Sequence, residues 1–224
     1  MTIQTIENMQ NIQLTRNLIL ENFHSYGCPP EKNLIGGEYE RHILGLTGNS
    51  TSYEEEYGIQ WFLQEFAKRW NWKPYYEKEN IIALYRNGAS ITLEPGGQFE
   101  LSGKAHSDLS ELRKEFEENR DCLLQLSKEA KKIPITCGLT PFMDIEDIKW
   151  MPKGRYKIMR EYLPQRGKLA HYMMKGTTSV QCNYDFENEE DCSKKVQLCS
   201  GMAPITTAIF ANSPLYKNTP TSYV

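Results

Sequence analysis

Two tight turns in the first half of the chain constrain its fold more than any other feature. Asn87-Gly88 separates the strand-like segments IIALYR and SITLE, and Pro95-Gly96-Gly97 separates SITLE from QFELS. An Asn-Gly pair between two apolar segments is a strong signal of a β-hairpin, and the Pro-Gly-Gly sequence also turns the chain. Because a tight turn joins strands that run in opposite directions, this part of the chain predicts an antiparallel sheet.

Apolar side chains at helical spacing predict helices on both sides of these strands. The clearest helix covers residues 55–70, and a longer one covers residues 107–131 with Ser107 as its N-terminal cap. Further helices are predicted over residues 5–26, 155–162 and 187–200. The segment APITTAIFANSP is almost entirely apolar or small, which indicates a separate buried helix with Pro204 in its first turn.

Three further segments have the composition of strands: KNLIGGEYERHILGL, a buried strand in IPITCGL, and the alternating segment TTSVQCNYDF. In the last of these, Gln181 and Asn183 share a polar face. Hairpins outnumber regular strand–helix–strand units along the chain. The sequence therefore predicts one α+β domain over residues 1–224, with a largely antiparallel sheet, helices on one face and a working site on the other.

The composition and charge exclude several classes of protein. The 224 residues include 26 Lys or Arg and 29 Asp or Glu, giving a net charge of −3, whereas a dedicated nucleic-acid binder usually has a large basic excess. No segment approaches the ~20 apolar residues of a membrane-spanning helix. The first residues lack the features of a secretory signal, so a cytoplasmic protein is expected. The six cysteines have no zinc-type spacing, and reduced thiols are expected.

Four glutamates are the candidate metal ligands. Glu38 and Glu40 lie two residues apart on a predicted strand and so project from the same face. Glu94 and Glu100 flank the Pro-Gly-Gly turn, which can bring them together across a hairpin. Such oxygen ligands suit Mg²⁺ bound together with nucleotide phosphates. The residues alone leave open the alternative that all four are solvated side chains on exposed strands.

A basic segment, MPKGRYKIMREYLP, is the second candidate feature. It contains Lys153, Arg155, Lys157 and Arg160 around a single glycine. Arginine offers two parallel hydrogen bonds and lysine a compact charge, so the segment suits a phosphate or a carboxylate. A salt-bridged surface helix and a patch for nucleic acid are the alternatives.

Five segments together resemble the plant and proteobacterial type of glutamate–cysteine ligase. They are IGGEYER, SITLEPGGQFELSG, MPKGRYKIMREYLP, TTSVQCNYDF and PITTAIFANSP, in the order in which the family has them. The resemblance implies a glutamine-synthetase-like fold, in which a curved antiparallel sheet forms the active site. It also implies that the family's catalytic domain continues beyond the point that corresponds to Val224.

The same resemblance implies an activity and its ligands. The activity is the ATP- and Mg²⁺-dependent joining of the L-glutamate γ-carboxylate to the amine of L-cysteine through γ-glutamyl phosphate, the first step of glutathione biosynthesis. The implied partners are these small molecules, with no nucleic acid and no membrane. The implied site residues are the metal ligands Glu38, Glu40, Glu94 and Glu100, the catalytic Arg155 and Lys153, and the substrate or nucleotide contacts Gln98, Arg160, Gln181 and Asn183.

Several positions depart from the family's pattern near the expected cleft. Lys175-Gly176 replaces a common aromatic-arginine pair, and Thr140-Pro141 replaces Gln-Pro. Two alternatives therefore stay open. One is a related γ-glutamyl ligase with another amine acceptor, and the other is a non-catalytic or truncated binding or regulatory module of the same fold.

Overall fold

The computed structural model describes residues 15–221, which form two compact units. The larger unit comprises Leu34–Asn183 and the described residues from Ala203 onward. The smaller unit comprises the described residues up to Asn33 together with Tyr184–Met202. The helix predicted over residues 5–26 is described in part, as α1 (Arg16–His24), and its first ten residues lie outside the described range.

Seven strands of the described chain form one sheet. They are β1 (Ile35–Gly45), β2 (Lys73–Glu77), β3 (Asn80–Arg86), β4 (Ala89–Leu93), β5 (Phe99–Ser102), β6 (Lys132–Ile135) and β7 (Val180–Tyr184). The strand order is β2-β3-β4-β5-β1-β6, and β7 also pairs with β1. All five successive pairings in that order are antiparallel. The predicted α+β fold with an antiparallel sheet is confirmed.

Five helices follow α1 in the described chain. They are α2 (Ile59–Trp70), α3 (Leu109–Ala130), α4 (Gly154–Tyr162), α5 (Ala170–Gly176) and α6 (Glu189–Ile209). A separate small hairpin pairs β8 (Leu215–Tyr216) with β9 (Thr219–Pro220). No helix in residues 15–221 is both long enough and apolar enough to cross a bilayer.

The core of the larger unit lies between one face of the sheet and the helices α2 and α3. Phe62, Leu63 and Phe66 of α2 are buried in the same cluster as Leu93 and Phe99 from the sheet. This apolar stripe on α2 follows the helical spacing read from the sequence. Because alternate residues of a strand point to opposite faces, the remaining face of the sheet carries the polar residues.

The two predicted turns have the backbone geometry that their residues favour. Asn87 (φ 51°) and Gly88 (φ 91°) are both left-handed, as a two-residue type I′ hairpin requires. In the second turn Gly97 is left-handed (φ 88°), and its amide donates to the Glu94 carbonyl at 2.9 Å. A three-residue loop that ends on a left-handed glycine is a common hairpin connection. Glu94 therefore lies at the turn end of the β4–β5 hairpin.

Three predicted details were wrong. Asp108, not Ser107, caps α3, because its carboxylate accepts the Ser110 amide at 2.6 Å. The strand IPITCGL is short and half-buried rather than buried, because β6 lies at an edge of the sheet. The two predicted C-terminal helices are one continuous helix, α6, which includes Pro204 and has no buried residue.

Candidate functional site

A cavity of about 440 Å³ lies on the polar face of the sheet, opposite the core. Five of the predicted site residues line it: Glu38, Glu94, Glu100, Lys153 and Arg155. A fourth glutamate, Glu77 of β2, lines it as well, and we call it the carboxylate cavity after these four side chains. Acidic side chains from the strands and basic side chains from the start of α4 therefore meet in one space.

Strand register aligns the acidic residues. The pairing of β1 with β5 places Glu38 opposite Ser102 and Glu40 opposite Glu100. Because residues directly opposite each other in an antiparallel pair project from the same face, Glu40 and Glu100 are neighbours on the polar face. The spacing of Glu38 and Glu40 on one strand puts Glu38 on that face as well.

The Pro-Gly-Gly turn is held in place by contacts that only glycine permits. A Cβ atom on Gly96 would overlap the carbonyl oxygen of Lys175 and lie 2.8 Å from its Cα atom. Gln98 secures the same region, since its side-chain oxygen accepts the Gly96 amide at 2.9 Å and its nitrogen donates to the Thr177 carbonyl at 2.8 Å. The turn that carries Glu94 is thus fixed against the end of α5.

The acidic residues influence one another. Burial, followed by the negative charge of Glu100, raises the pKa of Glu94 to about 7. Burial also raises the pKa of Glu40, although hydrogen bonds from Ser179 oppose the shift. Both pKa shifts arise mainly from burial, which favours the neutral form of the carboxyl group, whereas a bound cation would favour its charged form.

The basic residues are anchored by the first turn of α4. Glu77 of β2 accepts the Gly154 amide at 2.8 Å, and Lys153 Nζ donates to the Leu93 carbonyl at 2.7 Å. Burial, together with the charge of Arg155, lowers the pKa of Lys153 to about 8. Arg155 reaches Glu94 at 3.5 Å through one guanidinium nitrogen. Both cations therefore lie within the carboxylate cavity, beside the acidic turn.

The four glutamates of the predicted metal site offer carboxylate oxygens, which are the ligands that Mg²⁺ prefers. In this structure, however, three of them accept hydrogen bonds from protein groups. Asn183 donates to Glu38 at 2.9 Å, the Ser179 amide donates to Glu40 at 2.8 Å, and the Thr92 hydroxyl donates to Glu100. Within residues 15–221, no three His, Cys, Asp or Glu side chains are grouped closely enough to hold a metal ion. The donor set fits Mg²⁺ in chemistry, and the four-glutamate metal site stays a prediction.

The predicted metal ligand Glu40 and the other predicted contacts lie outside the lining of the carboxylate cavity. Gln98 is buried and bonded to main-chain groups, and the central carbon of the Arg160 guanidinium lies 5.2 Å from the Trp150 ring centre. Gln181 is exposed, and its side-chain nitrogen donates to the Ser179 hydroxyl at 3.1 Å. Asn183 contacts the cavity only indirectly, by donating a hydrogen bond to Glu38. Their predicted roles in binding stay predictions.

Sequence reasoning missed several residues of the cavity. Tyr75, Tyr85, Thr92 and Ser102 also line it. The hairpin at Asn87-Gly88 was the available signal, because its register places Tyr85 opposite Ser90 on the same face as Thr92. Tyr75 could not be located in this way, since β2 was not identified as a separate strand.

The unusual Lys175-Gly176 pair has a packing explanation. Lys175 is buried, its Nζ donates to the Ile148 carbonyl at 3.0 Å, and it lies 5.2 Å from the Trp150 ring centre. A Cβ atom on Gly176 would overlap the Ile145 side chain. A larger residue at position 176 therefore requires Ile145 to move.

Comparison with known proteins gives a consistent result. The family model for glutamate-cysteine ligase family 2 matches residues 34–224. The chain is 38% identical over 221 residues to chloroplastic glutamate–cysteine ligase B of Oryza sativa subsp. japonica, which covers 95% of this chain and 43% of the relative. It is 39% identical over 203 residues to the chloroplastic enzyme of Nicotiana tabacum, covering 88% of this chain and 38% of the relative.

These relatives also correct one expectation and confirm another. The expected cytoplasmic location is contradicted, because the relatives named above and that of Arabidopsis thaliana are chloroplastic proteins. The chain spans less than half the length of the relatives it matches. The resemblance read from the sequence is confirmed, and the chain belongs to glutamate-cysteine ligase family 2.

Proposed function

We propose that this chain forms the metal–phosphate part of an ATP- and Mg²⁺-dependent glutamate–cysteine ligase, which catalyses the first step of glutathione biosynthesis. The observation that carries the proposal is the carboxylate cavity, where Glu94 and Glu100 meet Lys153 and Arg155. Acidic groups alone would suit a cation and basic groups alone an anion. A cavity with both suits a cation that is already bound to a phosphate chain.

The proposed ligands of Mg²⁺ are Glu38, Glu40, Glu94 and Glu100. The strand register supports this assignment, because it places Glu40 opposite Glu100 on the face that also carries Glu38, and a bound cation would reduce the repulsion between Glu94 and Glu100. When bound, Mg²⁺ would neutralise charge on the phosphates during transfer. We also propose that the sheet belongs to a single glutamine-synthetase-like catalytic domain, in which its polar face is the floor of the active site.

The proposed reaction needs positioning rather than a protein nucleophile. The γ-carboxylate of L-glutamate attacks the γ-phosphorus of ATP, and ADP leaves. The amine of L-cysteine then attacks the carbonyl carbon of γ-glutamyl phosphate, and inorganic phosphate leaves. Lys153 and Arg155 would hold the phosphates or the substrate carboxylate, since both cations lie beside the turn that carries Glu94.

The first prediction concerns Glu94. Glu94→Gln removes one charged ligand and should weaken binding of Mg-ATP by roughly 10-fold or more, measured by isothermal titration calorimetry. Glu56→Gln is the matched control, because Glu56 is exposed, lies outside the cavity and makes the same change of charge. Equal affinities for the Glu94 variant and the unchanged chain would reject the metal assignment.

A different amine acceptor is the second candidate function. The Lys175-Gly176 pair favours it, because this pair abuts the turn that carries Glu94 and differs from the family's pattern. Glutamate-dependent release of ADP should be measured with cysteine and with other small amino acids in turn. Release that depends on cysteine supports the proposed function, whereas release with another amine supports the second candidate. Binding of Mg-ATP without turnover would indicate a binding module.

A further inference from the structure

We infer that Tyr75 and Tyr85 form the surface on which the base of the nucleotide stacks. This inference rests on the function proposed above and identifies where one part of its substrate binds. Both tyrosines line the same carboxylate cavity as Glu100 and Arg155, yet metal and phosphate binding uses neither of them. Both tyrosines are also partly exposed, with exposed fractions of 36% and 43%, so part of each residue is accessible to a ligand.

Strand register places the tyrosines at a defined distance from the acidic residues. One row of paired residues runs across five strands of the sheet, in the order Glu40, Glu100, Thr92, Ala83 and Tyr75. The neighbouring row runs Glu38, Ser102, Ser90, Tyr85 and Lys73. In these two rows the predicted metal ligands thus lie on β1 and β5, whereas the tyrosine rings lie on β3 and on β2, whose last residue, Glu77, also lines the cavity.

The spacing between strands gives the distances between the acidic residues and the tyrosines. Neighbouring strands are ~4.8 Å apart, so Glu100 lies roughly 10 Å from Tyr85 and roughly 14 Å from Tyr75 across the sheet. This separation is comparable to an extended nucleoside triphosphate. Between the two ends, the floor of the cavity carries the small side chains of Thr92 and Ala83, which leave room for a sugar.

The two rings have an arrangement that suits a flat aromatic ligand. Their centroids are 6.3 Å apart and their planes meet at 77°, so they form an edge-to-face corner. A base can lie flat on one ring with its edge toward the other, and base–aromatic stacking of this kind gains affinity without any charge. The metal and phosphates would then occupy the charged end of the cavity and the base the aromatic end.

The test compares two ligands that differ by the nucleoside. Mg-ATP and Mg-tripolyphosphate are titrated into the same chain by calorimetry. Tyr85→Ala should weaken binding of Mg-ATP by about 5- to 100-fold and leave binding of Mg-tripolyphosphate unchanged. Tyr85→Phe should restore affinity for Mg-ATP, because the ring rather than the hydroxyl makes the contact. Tyr75→Ala is the second variant and should behave like Tyr85→Ala.

Tyr76→Ala is the matched control. Tyr76 is adjacent in sequence and 51% exposed, but it does not line the cavity, so its loss should not change either affinity. Unchanged binding of Mg-tripolyphosphate also shows that each variant is folded. If Mg-ATP binding is unaffected in both alanine variants, or falls equally in Tyr76→Ala, the inference is overturned while the proposed function stands. If the unchanged chain binds neither ligand, both are overturned.

Discussion

Gly96 shows how one residue determines the position of a functional side chain. The main chain of Lys175 passes so close to Gly96 that no Cβ atom fits between them. The next residue but one, Gln98, bonds to the same region through Thr177. This close contact joins the hairpin of Glu94 to the end of α5. A glycine that looks like a simple turn residue is therefore also a packing residue.

We predict that Gly96→Ala lowers the free energy of unfolding by about 1–3 kcal/mol, because the added methyl group forces the turn away from Lys175. Urea denaturation would measure the change. Gly167→Ala is the control, since a Cβ atom at Gly167 meets nothing within 4 Å and its stability should be equal or slightly higher. Equal stability of both variants would show that the turn accommodates a side chain.

At the scale of elements, the start of α2 depends on a charged contact with β6. Glu55 lies just before α2 and accepts hydrogen bonds from the Ser52 amide at 2.9 Å and the Ser52 hydroxyl at 2.7 Å. It also forms an ion pair with Lys132 of β6. Partial burial of Glu55 acts to raise its pKa, but the bonds from Lys132 and Ser52 outweigh burial, and the pKa is lowered overall.

The lowered pKa of Glu55 predicts how the free energy of unfolding depends on pH. A carboxyl group with a lowered pKa in the folded state contributes stability above its ordinary value of 4.5, and that contribution is lost as the pH falls through the folded pKa. Glu55→Gln should therefore lower the free energy of unfolding at pH 7 by about 1 kcal/mol and reduce the loss of stability between neutral pH and pH 3. Chemical denaturation at several pH values measures both effects. Glu54→Gln, an exposed neighbour, is the control; the interpretation fails if the two variants have the same pH dependence.

At the scale of the whole molecule, the sheet of the larger unit carries the hydrophobic core on one face and the candidate functional site on the other. Its apolar face packs on α2 and α3, and its polar face carries the carboxylate cavity. Neighbouring residues of β5 show the division, since Phe99 is buried in the core and Glu100 lines the cavity. Alternation along a strand produces this arrangement without any further device.

Leu63 tests this separation. It is fully buried on α2, and Leu63→Ala should lower the free energy of unfolding by about 2–5 kcal/mol through lost contacts and a new cavity. Gln64→Ala, the exposed neighbour, should change stability little. Affinity for Mg-ATP should be unchanged in both variants at temperatures where they are folded. A loss of affinity in Leu63→Ala that exceeds its unfolded fraction would show that the two faces are coupled.

Features that depend on neighbouring residues could be predicted from the sequence without the fold. Asn87-Gly88 specified a hairpin, the apolar stripe that includes Leu63 specified α2, and alternation put Glu38 and Glu40 on one face of β1. Turn chemistry and periodicity act over a few residues, so they can be read without knowing the rest of the fold. The continuous α6 shows the limit of such reading, because a proline does not always end a helix.

Contacts between residues far apart in sequence follow from the folded sheet and could not be predicted. Glu40 lies opposite Glu100 because β1 inserts between β5 and β6, a pairing that no turn between them specifies. The same applies to Lys153 beside Glu94, to Gly96 against Lys175, and to the two tyrosines of the cavity. The register of strands far apart in sequence is set by burial of the whole apolar face against α2 and α3, and a shift of β1 by one residue would turn Glu38 and Glu40 to the other face.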